Sequence, residues 1–268
     1  MPPPPTVESL QRGLQVLSAV RRASSLSFTE LRDATGLPKA TLVRLLHTLV
    51  ESGWIRRQGT RGRYVMETSP GLPPAQRAHL ARVAQLAHPA MTRLQQAVPW
   101  PVNLGVREGE HMLIVDEPDA MVLGLAANHR QLGYQAPMLR SSLGLCYLAF
   151  CPAAERDALL QRLSHSADER DQAMLRSGRL PQRLRDVRTS GYALRDVSVV
   201  PADSPERYGA LSVPVTNGQQ VLACVSCSWL LQIASTEDTV RRVLMPMQDA
   251  AQAMKRALLH NLATASPP

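Results

Sequence analysis

The sequence predicts an α+β chain of two domains, and three observations carry that prediction. Three amphipathic helix patterns and a short pair of β-prone runs fill residues 1–66, whereas alternating strand patterns dominate after about residue 100. The stretch SPGLPP at 69–74 has the composition of a linker between these parts. At 268 residues the chain is long enough to bury a core.

Three helices are predicted in the N-terminal part. Apolar residues three to four positions apart favour a first helix from about Val7 to Arg21. Ser27 and Glu30 have the spacing of a capping box, which opens a short second helix that ends at Gly36. Pro38 suits the first position of a third helix, where its missing N–H costs nothing. That helix carries the apolar stripe Leu42, Leu45, Leu46 and Leu49 and stops near Gly53.

A hairpin with a basic tip follows, because the β-prone runs GWIRR and RYVM are joined by QGTRG. Two helices, a turn, a helix and a hairpin are the order of a winged helix-turn-helix domain. In such a domain the helix after the turn enters the major groove with its N-terminal residues toward the base edges. Arg61, at the hairpin turn, suits contact with the DNA backbone or the minor groove. The predicted DNA-binding residues are Ser27, Thr29, Pro38, Lys39, Ala40, Thr41, Arg44, His47, Arg61 and Arg63.

The charge distribution agrees with a polyanionic partner. The net charge is +8, and residues 1–66 hold ten Lys or Arg against four Asp or Glu. No run of about 18 apolar residues is present, and MPPPPTVE lacks the pattern of a signal peptide. Four cysteines in a chain of this length do not suggest a disulfide framework. We therefore expect a cytoplasmic protein that touches no membrane, with residues 1–6 as a disordered leader.

The predicted domains are a DNA-binding domain at 7–68, a linker and connecting helix at 69–88, and a second domain at 89–264. Residues 75–87 form the connecting helix, which Pro89 should break or restart. Strand patterns follow in VNLGVR, HMLIVDE, VLGLAA, ALSVPV and QVLACVSCSWL, the last two joined across Asn217-Gly218. Helical patterns lie near 142–150, 152–163, 180–190 and 237–261.

Several sequence segments resemble a known family. VESLQRGLQVLSAV, SFTELRDATGLPKATLVRLLHTLVESGWIRR and the hairpin look like the DNA-binding domain of the IclR family of bacterial regulators. APMLRSSLGLCYLAFCPAAERDALLQRL resembles the effector domain of that family, and its LAFCP with the upstream VPWP is similar to regulators of 3-(3-hydroxyphenyl)propionate breakdown.

The resemblance implies a transcriptional regulator of an aromatic-acid catabolic operon, an activator by its subgroup. The implied partners are double-stranded operator DNA, a small organic, aromatic acid as effector and RNA polymerase. The implied assembly is a homodimer or a dimer of dimers, and no cofactor is implied.

The resemblance also implies a GAF-like effector-binding domain. Carried over position by position, the effector-binding residues are Met138, Ser142, Leu143, Gly144, Tyr208, Ala210, Ser226 and Ser228. Ala210 stands where many members of the family carry a cysteine, so no role of that cysteine is carried over.

The residues themselves support part of this pocket. Ser226 and Ser228 are two apart in a strand pattern and so point to one face, where they hold a ligand oxygen, satisfy local backbone groups or face solvent. An acidic ligand also needs a counter-charge. The sequence offers Arg130, Arg140, Arg207 or the backbone amides at 142–144, and leaves the choice open.

No catalytic constellation is found. Cys224 and Cys227 have CxxC spacing but lie in a strand pattern, where positions i and i+3 face opposite sides. HExxH, GxSxG, P-loop and GxGxxG motifs are absent, so we predict that the chain is not an enzyme. Two alternatives stay open: a repressor that senses another small organic acid, and an enzyme or ligand-binding protein whose winged helix contacts proteins.

Overall fold

A computed structural model describes residues 5–23, 25–58, 62–67, 72–118, 132–197 and 208–263. It divides into two compact units, Met1–His79 and Leu80–Pro268, and the boundary falls within one helix. The predicted α+β class is confirmed. The sequence placed the linker at 69–88, and the unit boundary lies inside that range.

The N-terminal unit contains the predicted helices. Ser27 caps the second helix, and the capping box with Glu30 is confirmed in both directions, from the Ser27 backbone N–H to Glu30 Oε2 at 2.7 Å and from the Glu30 N–H to Ser27 Oγ at 3.3 Å. Gly36 ends this helix with a φ of 65°, a left-handed value that glycine adopts easily. The helices are α1 (Glu8–Ala23), α2 (Phe28–Thr35) and α3 (Lys39–Glu51).

The predicted hairpin is confirmed as β1 (Ile55–Gln58) and β2 (Arg63–Met66), which pair antiparallel. Leu26, before α2, exchanges two backbone hydrogen bonds with Tyr64 and so extends the hairpin by an isolated bridge. The core beneath the hairpin and the three helices consists of Val16, Ala19, Val20, Leu31, Leu37, Leu42, Leu46, Leu49 and Ile55.

The second unit is built on a six-stranded antiparallel sheet with the order β5-β4-β3-β8-β7-β6. The turn at Asn217-Gly218 joins its two longest strands as predicted, and Gly218 has a φ of 92°. The VLGLAA strand lies outside the described residues. The strands are β3 (Val102–Glu108), β4 (His111–Asp116), β5 (Gln135–Pro137), β6 (Ala193–Leu194), β7 (Tyr208–Thr216) and β8 (Val221–Leu230).

Helices pack on this sheet. One helix, buried nearly all round because its sequence SLGLCYLAF is apolar, packs across one face of the sheet. The longest helix packs on β7 and β8, whose residues are buried on both faces. The sequence missed one helix, Glu169–Arg176, and the two short strands β5 and β6. The helices are α4 (Pro74–Ala97), α5 (Ser142–Phe150), α6 (Ala153–Leu163), α7 (Glu169–Arg176), α8 (Leu180–Ser190) and α9 (Thr236–Ala263).

The prediction that Pro89 breaks the connecting helix is wrong, because α4 continues through it to Ala97. Pro89 is exposed, whereas Ala87, Ala90 and Met91 beside it are buried. The burial of this apolar stripe on both sides of the proline outweighs the one lost backbone hydrogen bond.

No helix in the described part of the chain combines the length and apolar character that a bilayer crossing requires.

Candidate functional sites

The polar face of α3 forms the first candidate site. Its exposed residues recur at helical spacing, and Lys39, Ala40, Val43 and Arg44 make up the N-terminal half of that stripe. Val43 is 49% exposed, so an apolar side chain lies among cations on this surface. The side chains of Lys39, Arg44 and His47 form no hydrogen bond or ion pair with any other described residue. They are therefore available to phosphates and base edges.

The other predicted residues near this helix differ in accessibility. Pro38 lies at the N-cap of α3, one position before the helical position that the sequence predicted. Thr41 is only half-exposed. The Ser27 hydroxyl accepts the Glu30 N–H and is occupied in the cap, whereas Thr29 beside it is exposed.

Arg63 is engaged within the domain. Its Nε donates to Ser25 Oγ at 2.8 Å, and its Nη2 donates to the Ser25 carbonyl at 2.9 Å and to Glu30 Oε2 at 2.8 Å. We predicted a DNA contact for Arg63, but these three bonds fix the hairpin to the loop before α2. Arg61, the other wing residue, lies outside the described residues. Arg57 is exposed, and its guanidinium lies 5.7 Å from the Tyr64 ring.

The second candidate site lies on the face of the sheet that α5 covers. Directly opposed residues of antiparallel strands point to the same face. Asn103 of β3 is opposite Ser226 of β8, which is opposite Ser212 of β7. The Ser212 hydroxyl donates to Ser142 Oγ at the start of α5, at 2.8 Å. These four buried polar residues form one group, which we call the polar row (Asn103, Ser226, Ser212 and Ser142).

The predicted effector residues fall into two sets. Ser228 is opposite Ala210, so Ser226 and Ser228 do face one side, and that prediction is confirmed by the register. Met138 and Leu143, by contrast, are part of the apolar core. The side chain of Leu143 packs on Gly105. A Cβ atom added to Gly105 would lie 3.0 Å from the Leu143 side chain.

The backbone amide of Gly144, one of the proposed anion-binding groups, is already used by the Ser141 hydroxyl at 3.0 Å. This bond caps α5, so that amide is not free for a ligand.

A cavity of about 340 Å³ opens at the edge of the sheet where β6 ends, and its lining includes Gly209 and Trp229 of the opposite face. Of the eight predicted residues, Ala210 lines it. Arg195 lines it as well: its N–H donates to the Ala210 carbonyl at 2.8 Å, and its guanidinium lies 3.8 Å from the centre of the Tyr208 ring. The register puts Arg195 on the face that Ala210 and Ser228 share.

Of the arginines named from the sequence, Arg140 is the one that the structure describes, and it does not supply a counter-charge here. Arg140 binds Asp171 through Nε at 2.8 Å and also pairs with Asp168, so its charge is neutralised. Arg130 and Arg207 lie outside the described residues.

Sequence reasoning missed Arg195 because nothing local distinguishes it from the other arginines. Asn103 was detectable as the one polar residue in the apolar run VNLGV.

The four cysteines are free and buried. Cys224 is opposite Pro214, and Cys227 is opposite Leu211, so the two face opposite sides of the sheet as predicted. Burial raises the pKa of Cys227 to about 12 and that of Cys151 to about 11. Within the described residues, no group of three or more His, Cys, Asp or Glu side chains could hold a metal ion.

Two family models match the chain. Residues 9–59 match the IclR helix-turn-helix domain, and residues 75–256 match the C-terminal domain of bacterial transcriptional regulator IclR. The HTH-type transcriptional regulator XynR of Escherichia coli K12 is 25% identical over 260 residues, which cover 95% of this chain and 98% of XynR.

Solved structures agree in fold. An IclR family transcriptional regulator from Brucella abortus is 26% identical with a TM-score of 0.53, covering 98% of this chain and 94% of that one. An IclR homolog from Microbacterium hydrocarbonoxydans, complexed with 4-hydroxybenzoate, is 22% identical with a TM-score of 0.54, covering 94% of this chain and 100% of that one.

Proposed function

The chain belongs to the IclR family of DNA-binding transcriptional regulators, and from this membership we propose that it controls an aromatic-acid catabolic operon in response to a carboxylic acid of the phenylpropionate type. The observation that carries the effector assignment is Arg195, stacked on Tyr208 beside a cavity of about 340 Å³. Small-molecule sites have volumes from about 300 Å³ upward. The chain is a regulator and not an enzyme.

Operator binding is assigned to the exposed half of α3. Lys39 and Arg44 supply charge and hydrogen-bond donors, and His47 follows one turn later. The wing adds exposed Arg57 and, by sequence, Arg61. Such a surface binds double-stranded DNA with a steep salt dependence, because each neutralised phosphate releases counterions.

The effector carboxylate is assigned to Arg195. Its aromatic neighbour holds the guanidinium plane in one orientation, which suits a two-pronged contact with a carboxylate. Ala210 lies between Arg195 and Ser228 on the sheet and lines the cavity, and its short side chain occupies little of this face. Ser228 and Ser226 then offer hydroxyls to the rest of the ligand.

The aromatic character of the effector rests on two supports. LAFCP and VPWP resemble the regulators of 3-(3-hydroxyphenyl)propionate breakdown, and one protein of the same fold is complexed with 4-hydroxybenzoate.

By the same resemblance we propose an activator, with RNA polymerase as a further partner; a repressor of the same operon type is the alternative. A promoter–reporter assay with and without the gene separates the two.

We assign self-association to α1. Leu10 and Leu14 are 61% and 53% exposed and lie on one side of α1, and Val7, just before the helix, is 62% exposed. This is more apolar surface than a solvated helix needs. A second copy that covers this stripe would pair two α3 helices on two half-sites, and two such dimers would form a tetramer. Sedimentation of Leu10→Glu tests this, with a shift to monomers expected.

A thermal-shift screen of the full chain against aromatic and short aliphatic acids tests the effector assignment. A ligand at 100 times its Kd adds about 2.7 kcal/mol, which corresponds to several degrees. The shift should disappear in Arg195→Ala and persist in Arg176→Ala, an exposed arginine of α7. A shift that survives in Arg195→Ala would remove Arg195 from the site, and no shift with any acid would contradict acid sensing.

A further inference from the structure

Two members of the polar row, Asn103 and Ser226, form no side-chain hydrogen bond with a described residue, and Asn103 is the one whose oxygen is fully buried. Asn103 is 4% exposed, and its Oδ1 is buried and accepts no hydrogen bond from the described residues. The opposing Ser226 does not donate to it. A buried carbonyl oxygen without a partner destabilises a folded protein, so such groups are uncommon and have a reason where they occur.

The rest of the row shows that the fold can satisfy polar groups on this face. Ser212 and Ser142 bond to each other at 2.8 Å across the gap between the sheet and α5. Asn103 lies at the other end of the same row, on β3, with β8 between it and Ser212. Its side chain therefore faces the surface on which Ser226 and Ser228 offer their hydroxyls.

We propose that Asn103 Oδ1 accepts a hydrogen bond from the effector. The inference rests on the proposed function, because it concerns the ligand of the same face. A carboxylate has only acceptor oxygens and cannot satisfy a carbonyl oxygen. The effector must therefore carry a second group that donates, and a hydroxyl is the chemistry that matches a face of serines.

The position of this donor on the ligand follows from the strand order. Arg195 continues β6, and Asn103 is on β3, so β7 and β8 lie between them. At about 4.8 Å per strand the two backbones are about 14 Å apart. The carboxylate and the hydroxyl thus belong at opposite ends of the effector, which makes it a hydroxylated acid and not a simple one such as acetate.

The test compares acids that differ by one hydroxyl: benzoate with 3- and 4-hydroxybenzoate, and 3-phenylpropionate with 3-(3-hydroxyphenyl)propionate. Calorimetric titration of the full chain should give a Kd about tenfold or more lower for a hydroxylated member. Asn103→Leu, which has a similar volume but no acceptor, should bind both members of that pair within about threefold. Asn103→Asp keeps acceptor oxygens and should keep the preference.

Melting of the ligand-free variants adds a readout that does not depend on knowing the effector. Removal of an unsatisfied polar group should leave Asn103→Leu as stable as the wild type or more stable. A melting temperature lower by more than a few degrees would mean that Asn103 has a structural partner, and would overturn the inference.

The outcomes separate the inference from the proposed function. Equal affinities within every pair, or a preference that survives in Asn103→Leu, would overturn the role of Asn103 and leave acid sensing intact. If no acid binds, hydroxylated or not, both the role of Asn103 and the proposed acid sensing are contradicted.

Discussion

The guanidinium of Arg63 donates a hydrogen bond of 2.8 Å to the carboxylate of Glu30, the same side chain that caps the backbone of Ser27. The second strand of the wing is thereby bonded to the start of α2. With the Leu26–Tyr64 bridge beside it, this contact sets the wing against the helices of the DNA-binding domain. Arg63 is therefore a positioning residue, whereas the arginine of α3 faces outward.

Replacement of Arg63 by alanine should lower the stability of the N-terminal unit. The two bonds to Ser25 alone contribute about 1 kcal/mol, and the Ser25 groups lose their partner. Thermal melting followed by circular dichroism measures the effect, with exposed Arg57→Ala as the control in the same hairpin. Equal melting temperatures for Arg63→Ala and the wild type would contradict the positioning role.

Arg44→Ala should weaken DNA binding without lowering stability, whereas Arg63→Ala should lower stability. Its exposed side chain forms no hydrogen bond or ion pair with a described residue, so the melting temperature should not change, while operator affinity falls by about 1–3 kcal/mol if Arg44 reads a base. Fluorescence anisotropy with operator and random DNA over a salt series distinguishes two modes. If Arg44 contacts only phosphate, both affinities fall together and the salt slope becomes shallower. Unchanged binding would reject α3 as the recognition helix.

Acid should weaken the N-terminal unit through Glu30. Hydrogen bonds from Ser27, and then the contact with Arg63, hold the pKa of Glu30 below its ordinary value of 4.5. Because the folded pKa is the lower one, the ionised carboxylate stabilises the fold above pH 4.5, and this contribution is lost as the pH falls through the lowered pKa. Glu30→Gln keeps the cap geometry without the charge. As the pH falls below 4.5, the melting temperature of Glu30→Gln should therefore decrease less steeply than that of the wild type. If the melting temperatures of the two proteins decrease in parallel with pH, Glu30 does not cause the acid sensitivity.

A methyl group at Gly144 should be poorly tolerated. An added Cβ would lie 2.1 Å from the Met138 carbonyl oxygen, and this oxygen belongs to backbone that cannot rotate away. Gly144→Ala should cost about 2–4 kcal/mol in the free energy of unfolding and disturb the start of α5. Gly13→Ala is the matched control within a helix, since its nearest neighbour, Leu45, is 3.9 Å away. That variant should gain up to about 1 kcal/mol, measured by urea unfolding.

The four cysteines should not react in the folded chain. All are buried, and burial raises the pKa of Cys227 to about 12, so almost no thiolate is present at pH 8. Ellman's reagent should therefore detect no thiol at first in the native protein and all four after denaturation. Rapid reaction of one native thiol would show that α5 or β8 opens locally.

Local patterns determined most of the N-terminal unit. The capping box at Ser27, the left-handed Gly36 and the hairpin are all decided within a few residues along the chain, so the sequence predicted them correctly. The long strands β3, β4, β7 and β8 follow equally from alternation and from the turn at Asn217-Gly218. Family membership follows from the same segments.

Contacts between distant segments decided the rest. Pro89 stays inside α4 because the buried residues on both sides of it keep the helix intact. The sequence could not show that Arg63 bonds to Ser25, 38 positions away, and so serves the fold where a DNA contact was predicted. Nor could it show that Arg140 is neutralised by Asp168 and Asp171.

The sequence by itself therefore determined the class of protein and predicted the surface that we propose meets DNA, because a helix and its exposed face are encoded at short range. Only the tertiary structure decided which polar groups share the second site. Asn103, Ser226 and Ser212 come from three strands and Arg195 directly follows a fourth, and the strand order that aligns them depends on burial of the whole sheet.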